Sequence, residues 1–125
     1  MTTIESQFES LQTAYPNALL ERLGSGAYLI TVPQYVLVPG WSKPQTDIKF
    51  IAPVGFPASR PDCFWVDHDL RLANGATPQN SGNNQLPEVS SQQWWFSWHV
   101  QAWEPNSGTL ISYFRVIEKR LKTAQ

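Results

Sequence analysis

Few side chains in this sequence suit chemistry at neutral pH. There is one cysteine, Cys63, and there are two histidines, His68 and His99. A cysteine becomes a nucleophile when a helix N-terminus, a cation or a histidine stabilises its thiolate. Cys63 stands between Asp62 and Phe64, and nothing close in sequence supplies such a charge. The residue therefore reads first as a structural thiol, free cysteine being among the most buried residue types. His99 follows Ser97 and Trp98 in an aromatic stretch. It suits general acid–base work, or packing with its ring nitrogens bonded to backbone. His68 lies in Asp67-His68-Asp69, and three consecutive residues of a strand cannot all face one metal. A lone cysteine also excludes a thiolate zinc site, so no metal is expected. Residues 94–103 hold four of the six tryptophans. Such rings stack on sugars or bases, or fill a small core. The sequence has no Gly-rich phosphate loop, no nucleophile elbow and no paired-carboxylate motif. Gly24-Ser25-Gly26 is a turn rather than a nucleotide signature, and no cofactor is expected.

The elements that must position these residues follow from pattern. Residues 2–15 read as an amphipathic helix with Ile4, Phe8 and Leu11 on one face. Thr2 and Glu5 have capping-box spacing, and Pro16 ends the helix. Residues 19–23 are ambiguous. Residues 27–32 are rich in β-branched and aromatic residues and read as a strand, which residues 36–38 extend beyond Pro33. Residues 43–46 read as a loop. Residues 47–54 alternate, with Ile48 and Phe50 on one side and Lys49 on the other, as in a half-buried strand. Pro53 belongs at its end. Residues 55–62 form a proline-punctuated extended segment, and residues 63–66 another short strand. Residues 74–93, dense in Asn, Gln, Ser, Gly and Pro, read as a long surface loop. A turn spans 104–108. Thr109 is a plausible N-cap for a last helix over 110–123. In it, Leu110, Phe114, Ile117 and Leu121 share a face, and Lys119, Arg120 and Lys122 suit the dipole at the C-terminal end. Helix, antiparallel meander, long irregular stretch and helix make an α+β domain.

Composition narrows the classes further. The chain has 125 residues, 42% apolar and 15% charged, which fits one globular domain over 1–125. A net charge of -1 supplies no basic field for nucleic acid or an anionic membrane. The start of the chain lacks a signal-peptide pattern, and the apolar run over 28–40 is broken by Pro33 and Pro39, too short to span a bilayer. A cytoplasmic location is expected.

The segment Gly55-Phe56-Pro57-Ala58-Ser59-Arg60-Pro61 resembles the Tyr-Pro-x-x-Pro-Pro segment that follows the meander of the ubiquitin-conjugating-enzyme (UBC) fold. Phe56 stands for its Tyr, and Arg60 for one of its prolines. Trp103-Glu104-Pro105 resembles that fold's Trp-x-Pro ahead of a helix. Four pieces together resemble the prokaryotic conjugating-enzyme-like family E: Pro61-Asp62-Cys63-Phe64-Trp65, Arg71-Leu72-Ala73-Asn74-Gly75, Trp95-Phe96-Ser97-Trp98-His99 in the place of the family's Trp-Ser-x-His, and Trp103-Glu104-Pro105. The resemblance covers nearly the whole chain. It implies a UBC-like fold in which ring packing of Trp65, Trp103 and their neighbours holds an irregular stretch.

Active conjugating enzymes carry a cysteine between a His-Pro-Asn motif and the Trp-x-Pro, and that cysteine takes the modifier as a thioester. Residues 72–102 contain no cysteine. The His-Pro-Asn motif is missing too, and Asn74 alone could mimic its amide. The resemblance thus implies a component that binds a ubiquitin-like protein, an activating-enzyme-like protein, or both, without thioester chemistry, using Asn74, Trp95, Trp98 and His99. One alternative is an unusual conjugating enzyme acting through Cys63 or His99. Another is a carbohydrate-binding module using exposed tryptophans.

Overall fold

The computed structural model describes residues 3–86, 89, 92–98, 103 and 108–125. The elements run in the order α1 (Ile4–Ala14), β1 (Leu19–Arg22), β2 (Tyr28–Val36), β3 (Gln45–Ala52), β4 (Phe64–Asp67), β5 (Ser81–Gly82), β6 (Gln93–Phe96) and α2 (Leu110–Leu121). The strands form one antiparallel six-stranded sheet in the order β1-β2-β3-β4-β6-β5. The architecture is the expected α+β arrangement, two helices with a six-stranded antiparallel sheet, and is consistent with the UBC-like fold that the resemblance implies. The ambiguous stretch near residue 20 is an edge strand, and Gln45 and Thr46, expected in a loop, open β3.

Helix α1 starts at Thr3, whose Oγ1 accepts from the Ser6 amide at 3.1 Å. Thr2, the expected cap, lies outside the described residues. Helix α2 begins as expected at Thr109, in a reciprocal capping box with Ser112, which satisfies two otherwise orphan donors. A third, the Leu110 amide, donates to the buried side chain of Gln7 on α1 at 3.0 Å. The two helices are thereby tied end to side.

Strand β2 continues through Pro33, which has no N–H to give the ladder. The register shifts there between Val32 and Tyr35. Gln34 takes a left-handed φ of 56°, and its amide donates instead to Asp47 Oδ1 at 2.9 Å. A side chain thus takes the place of the missing ladder partner, as bulges require.

Strand alternation divides the core in two. On one face Ile30, Val32, Ile48, Phe50, Phe64, Val66 and Phe96 meet Phe8 and Leu11 of α1 and Leu110, Tyr113, Phe114, Ile117 and Leu121 of α2. The cross-strand pair Phe64 and Phe96 stacks with ring centroids 4.9 Å apart. On the other face Leu23, Ala27, Leu29, Trp65 and Leu86 form a second cluster, with Ile51, Cys63, Val89 and Trp95 packed against it. Leu86 is 0% exposed, so the expected surface loop over 74–93 contributes a core residue as well as strand β5. Trp65 and Trp103 do not pack together as expected. Trp65 belongs to the second cluster, whereas Trp103 packs on the first. There it meets Phe56 at 5.8 Å and donates its Nε1 hydrogen to the Pro57 carbonyl at 2.7 Å.

Candidate functional site

The residues expected to act fall on two sides of the sheet. Asn74 sits at the exposed tip of the turn over 72–76, where its Oδ1 accepts from the Ala76 amide at 2.9 Å. Gly75 provides the positive φ of 87° that this turn needs. The Ala73 amide donates to the Gly40 carbonyl at 2.8 Å, and Leu72 bridges to Trp41. The turn is thereby anchored beside the Trp41 ring.

Trp41 in turn borders a buried cation. Arg120 on α2 is 3% exposed. Its guanidinium lies 5.0 Å from the Phe96 ring, 5.3 Å from Trp98 and 5.8 Å from Trp41. It donates to the main-chain oxygens of Thr123 at 3.1 Å, Gln79 at 3.0 Å and Gln125 at 2.7 Å. Hydrogen bonds and ring faces are what a buried charge needs, and the box supplies both to the two terminal nitrogens, while the buried Nε has no hydrogen-bond partner among the described residues. Burial lowers the proton affinity of the guanidinium from its ordinary high value. Arg120 lies in the last turn of α2 as expected, where a cation suits the helix dipole, and it is also the hub that joins Trp98, the segment before β5 and residues 123–125. Its sequence signal is its spacing. Position 120 follows Tyr113 and Ile117 on the buried stripe of α2, and a charged residue on such a stripe needs partners.

Beside this hub, the turn after β4 is held by charge. Lys43 Nζ lies 2.7 Å from Asp67 and 3.0 Å from Asp69. Hydrogen bonds to the two carboxylates raise the Lys43 ammonium, and the bond to Lys43 holds the Asp69 carboxyl below its usual range. Both acids flanking His68 are thus turned to a lysine. The His68 ring packs edge-on against Trp94 at 5.9 Å. Arg71 lies over the face of Trp94 at 3.6 Å and donates to the carbonyls of His68 and Leu70. In sequence Arg71 stands out only as part of the Arg71–Gly75 motif and Trp94 only as part of the aromatic stretch; the pairing of the two is visible in the structure alone.

Trp95 and Cys63 lie on the opposite face, in the second cluster. Cys63 is partly buried and lines an apolar groove of about 190 Å³ with Ile51, Pro53, Arg60, Pro61 and Trp65. Burial pushes its thiol up, away from the thiolate, and the Asp62 charge adds to this against an opposing contact from Trp95. The structure therefore separates the expected binding residues. Asn74 and Trp98 are linked through Trp41 and Arg120, and Trp95 stands with Cys63 behind the sheet. His99 lies outside the described residues, as do Glu104 and Pro105. All six tryptophans are buried or partly buried, so the pair of exposed rings a sugar-stacking platform needs is lacking. No helix among the described residues is long and apolar enough to cross a membrane.

Comparison with curated proteins returned no match, and comparison with solved structures returned none. The family model of the prokaryotic E2 family E matches residues 18–124. The match spans every strand of the sheet, the turn over 72–76, the aromatic stretch and α2. The four quoted motifs all fall inside it, and by this match the chain belongs to the prokaryotic E2 family E.

Proposed function

We propose that the protein is a non-catalytic, cytoplasmic component of a prokaryotic ubiquitin-like conjugation pathway. It binds a ubiquitin-like protein, an activating-enzyme-like protein, or both. The observation that carries this reading is the location of the only thiol. Residues 72–102 contain no cysteine, and Cys63 lies behind the sheet with its thiol pushed up by burial. A thioester needs a thiolate within reach of the activated carboxyl end. What stands on the other side is an exposed turn bearing Asn74, anchored at Trp41, whose ring borders the same Arg120 guanidinium as Trp98. These residues offer contact surface and hydrogen bonds but no nucleophile. His99, which follows Trp98 directly in sequence, is proposed as a further binding residue. Recognition here involves protein alone, with no cofactor, metal or nucleic acid.

The test is a charging assay with ATP, an activating-enzyme-like protein and a ubiquitin-like protein, taken from the neighbouring genes where those encode them. Reducing and non-reducing gels run in parallel, and size exclusion reads complex formation. The expected result is co-elution without adduct, weakened by Asn74→Arg. A reductant-sensitive adduct that disappears in Cys63→Ser overturns the reading and makes Cys63 a displaced nucleophile. An adduct that survives Cys63→Ser but not His99→Ala overturns it in favour of histidine. Absence of both adduct and complex overturns the partner assignment.

A further inference from the structure

Asn74 is the only asparagine in the sequence that a glycine follows. The nitrogen of the next peptide can attack an asparagine at its own side chain, and a side chain on that next residue hinders the approach. Gly75 has none. Its φ is 87°, and nothing lies within 4 Å of the place a Cβ would take. Asn74, Gly75 and Ala76 are all exposed, so water reaches the peptide. The turn also sets the side chain. Asn74 Oδ1 accepts from the Ala76 amide at 2.9 Å, which folds the carboxamide back over the Gly75 peptide as an Asx turn. The Ala76 N–H therefore points to the oxygen on which negative charge grows during attack, the place of an oxyanion donor. One bond opposes the reaction: the Gly75 N–H donates to the Leu72 carbonyl at 2.8 Å. That bond can open without freeing the turn, which is attached by the Ala73 amide to Gly40 and by the bridge from Leu72 to Trp41.

We propose that Asn74-Gly75 is a site of spontaneous deamidation in the folded protein, converting the tip of the turn from a neutral amide to a carboxylate. The Gly75 nitrogen gives its proton to solvent base and attacks Asn74 Cγ. The N–Cγ bond forms, the Cγ–Nδ2 bond breaks, and Nδ2 leaves as ammonia with a proton from water. A cyclic imide remains. One water then opens it at either carbonyl. Opening at Cγ gives aspartate, and opening at the main-chain carbonyl carbon of residue 74 gives isoaspartate, whose main chain is longer by one carbon. Nothing is oxidised or reduced, and water is the sole co-reactant. Both products lose the amide donor and gain a negative charge. The chemistry belongs to the turn and is independent of whether Asn74 binds a partner; under the binding reading above, it places that charge on the contact surface.

The test is incubation of the folded protein at one mildly alkaline pH, beside Asn74→Gln and a synthetic peptide of residues 70–78. Ion exchange measures the acidic product, and fragmentation in a mass spectrometer places the amide-to-acid mass increase along the chain. The expected result is conversion at Asn74 at a rate within about tenfold of the peptide's, faster than at Asn80, Asn83 or Asn84, and no such product at position 74 of Asn74→Gln. A folded protein more than about tenfold slower than the peptide overturns the proposal, because the bond to Leu72 then outweighs the Asx turn. Conversion at Asn80, Asn83 or Asn84 as fast as at Asn74 overturns it as well. Should Asn74→Gln fail to fold, the parent and the peptide decide by themselves. No partner protein enters this assay, so its failure and the failure of the binding reading are distinct results.

Discussion

Arg120 holds its charge inside the protein on three main-chain oxygens and three aromatic rings. A planar fork can reach three acceptors in different directions, which a lysine ammonium on a flexible stem does less well. Arg120→Lys is therefore expected to lose about 1.5–3 kcal/mol of stability, the range for hydrogen bonds to charged groups. The urea midpoint reads this, and an unchanged midpoint would remove Arg120 from the hub. Trp103 supports a second test at this scale. It is partly buried rather than a core residue, and its indole donates to Pro57. Gly108 is buried against it, and a Cβ there would overlap the Trp103 ring. Gly108→Ala should cost about 1–3 kcal/mol by overpacking. The same change should cost far less in a Trp103→Ala background, because the clash is gone. A double-mutant cycle in urea measures that coupling, and additive costs would show that the ring does not fill this space.

At the scale of elements, two phenols fasten α1 and β2 to α2. Tyr15 and Tyr35 both direct their hydroxyls at Glu118, at 3.0 and 3.5 Å. Their rings pack against Phe114. Burial, and then the charge and hydrogen bond of Glu118, push Tyr35 up to about 12, and the same causes raise Tyr15. A tyrosine in the unfolded chain releases its proton near pH 10 (roughly,), while the folded chain still holds it. Above that pH the unfolded state binds fewer protons, so stability falls as pH rises toward the folded value. Below about pH 10 both states are protonated and this contribution is constant. Urea midpoints should therefore drop between pH 10 and 12, and the drop should shrink in Tyr35→Phe, which keeps the ring. An equally steep decline in that variant would place the alkaline sensitivity elsewhere. The caps make a simpler case. Thr109→Ala removes the acceptor for the Ser112 amide and should cost about 1 kcal/mol, read as a lowered melting temperature.

Over the whole molecule, the elements that were legible in sequence are those whose periodicity stays unbroken. Helix α2 shows it in Leu110, Phe114, Ile117 and Leu121, and β3 in Ile48 and Phe50; both carry the first cluster. What could not be read was decided by partners distant in sequence. Leu86 lies in a polar stretch and is buried only because a sheet face needs a cover. Arg120 carries a surface residue's chemistry on a core position. Trp94 and Trp95 look equivalent in one aromatic run, yet strand parity in β6 sends them to opposite sides. The same asymmetry predicts how the protein opens. Strands β2, β3 and β4 each pair on both sides, whereas β1 and β5 are edges, and β5 has two residues. Amides hydrogen-bonded inside β3, between Ile48 and Phe50, should exchange only through events close to global unfolding. Those of β1 and Ser81–Gly82 should exchange through local fraying of lower free energy. Hydrogen exchange followed by mass spectrometry separates the two classes. Uniform protection across all six strands would mean that the second face is as firmly closed as the first.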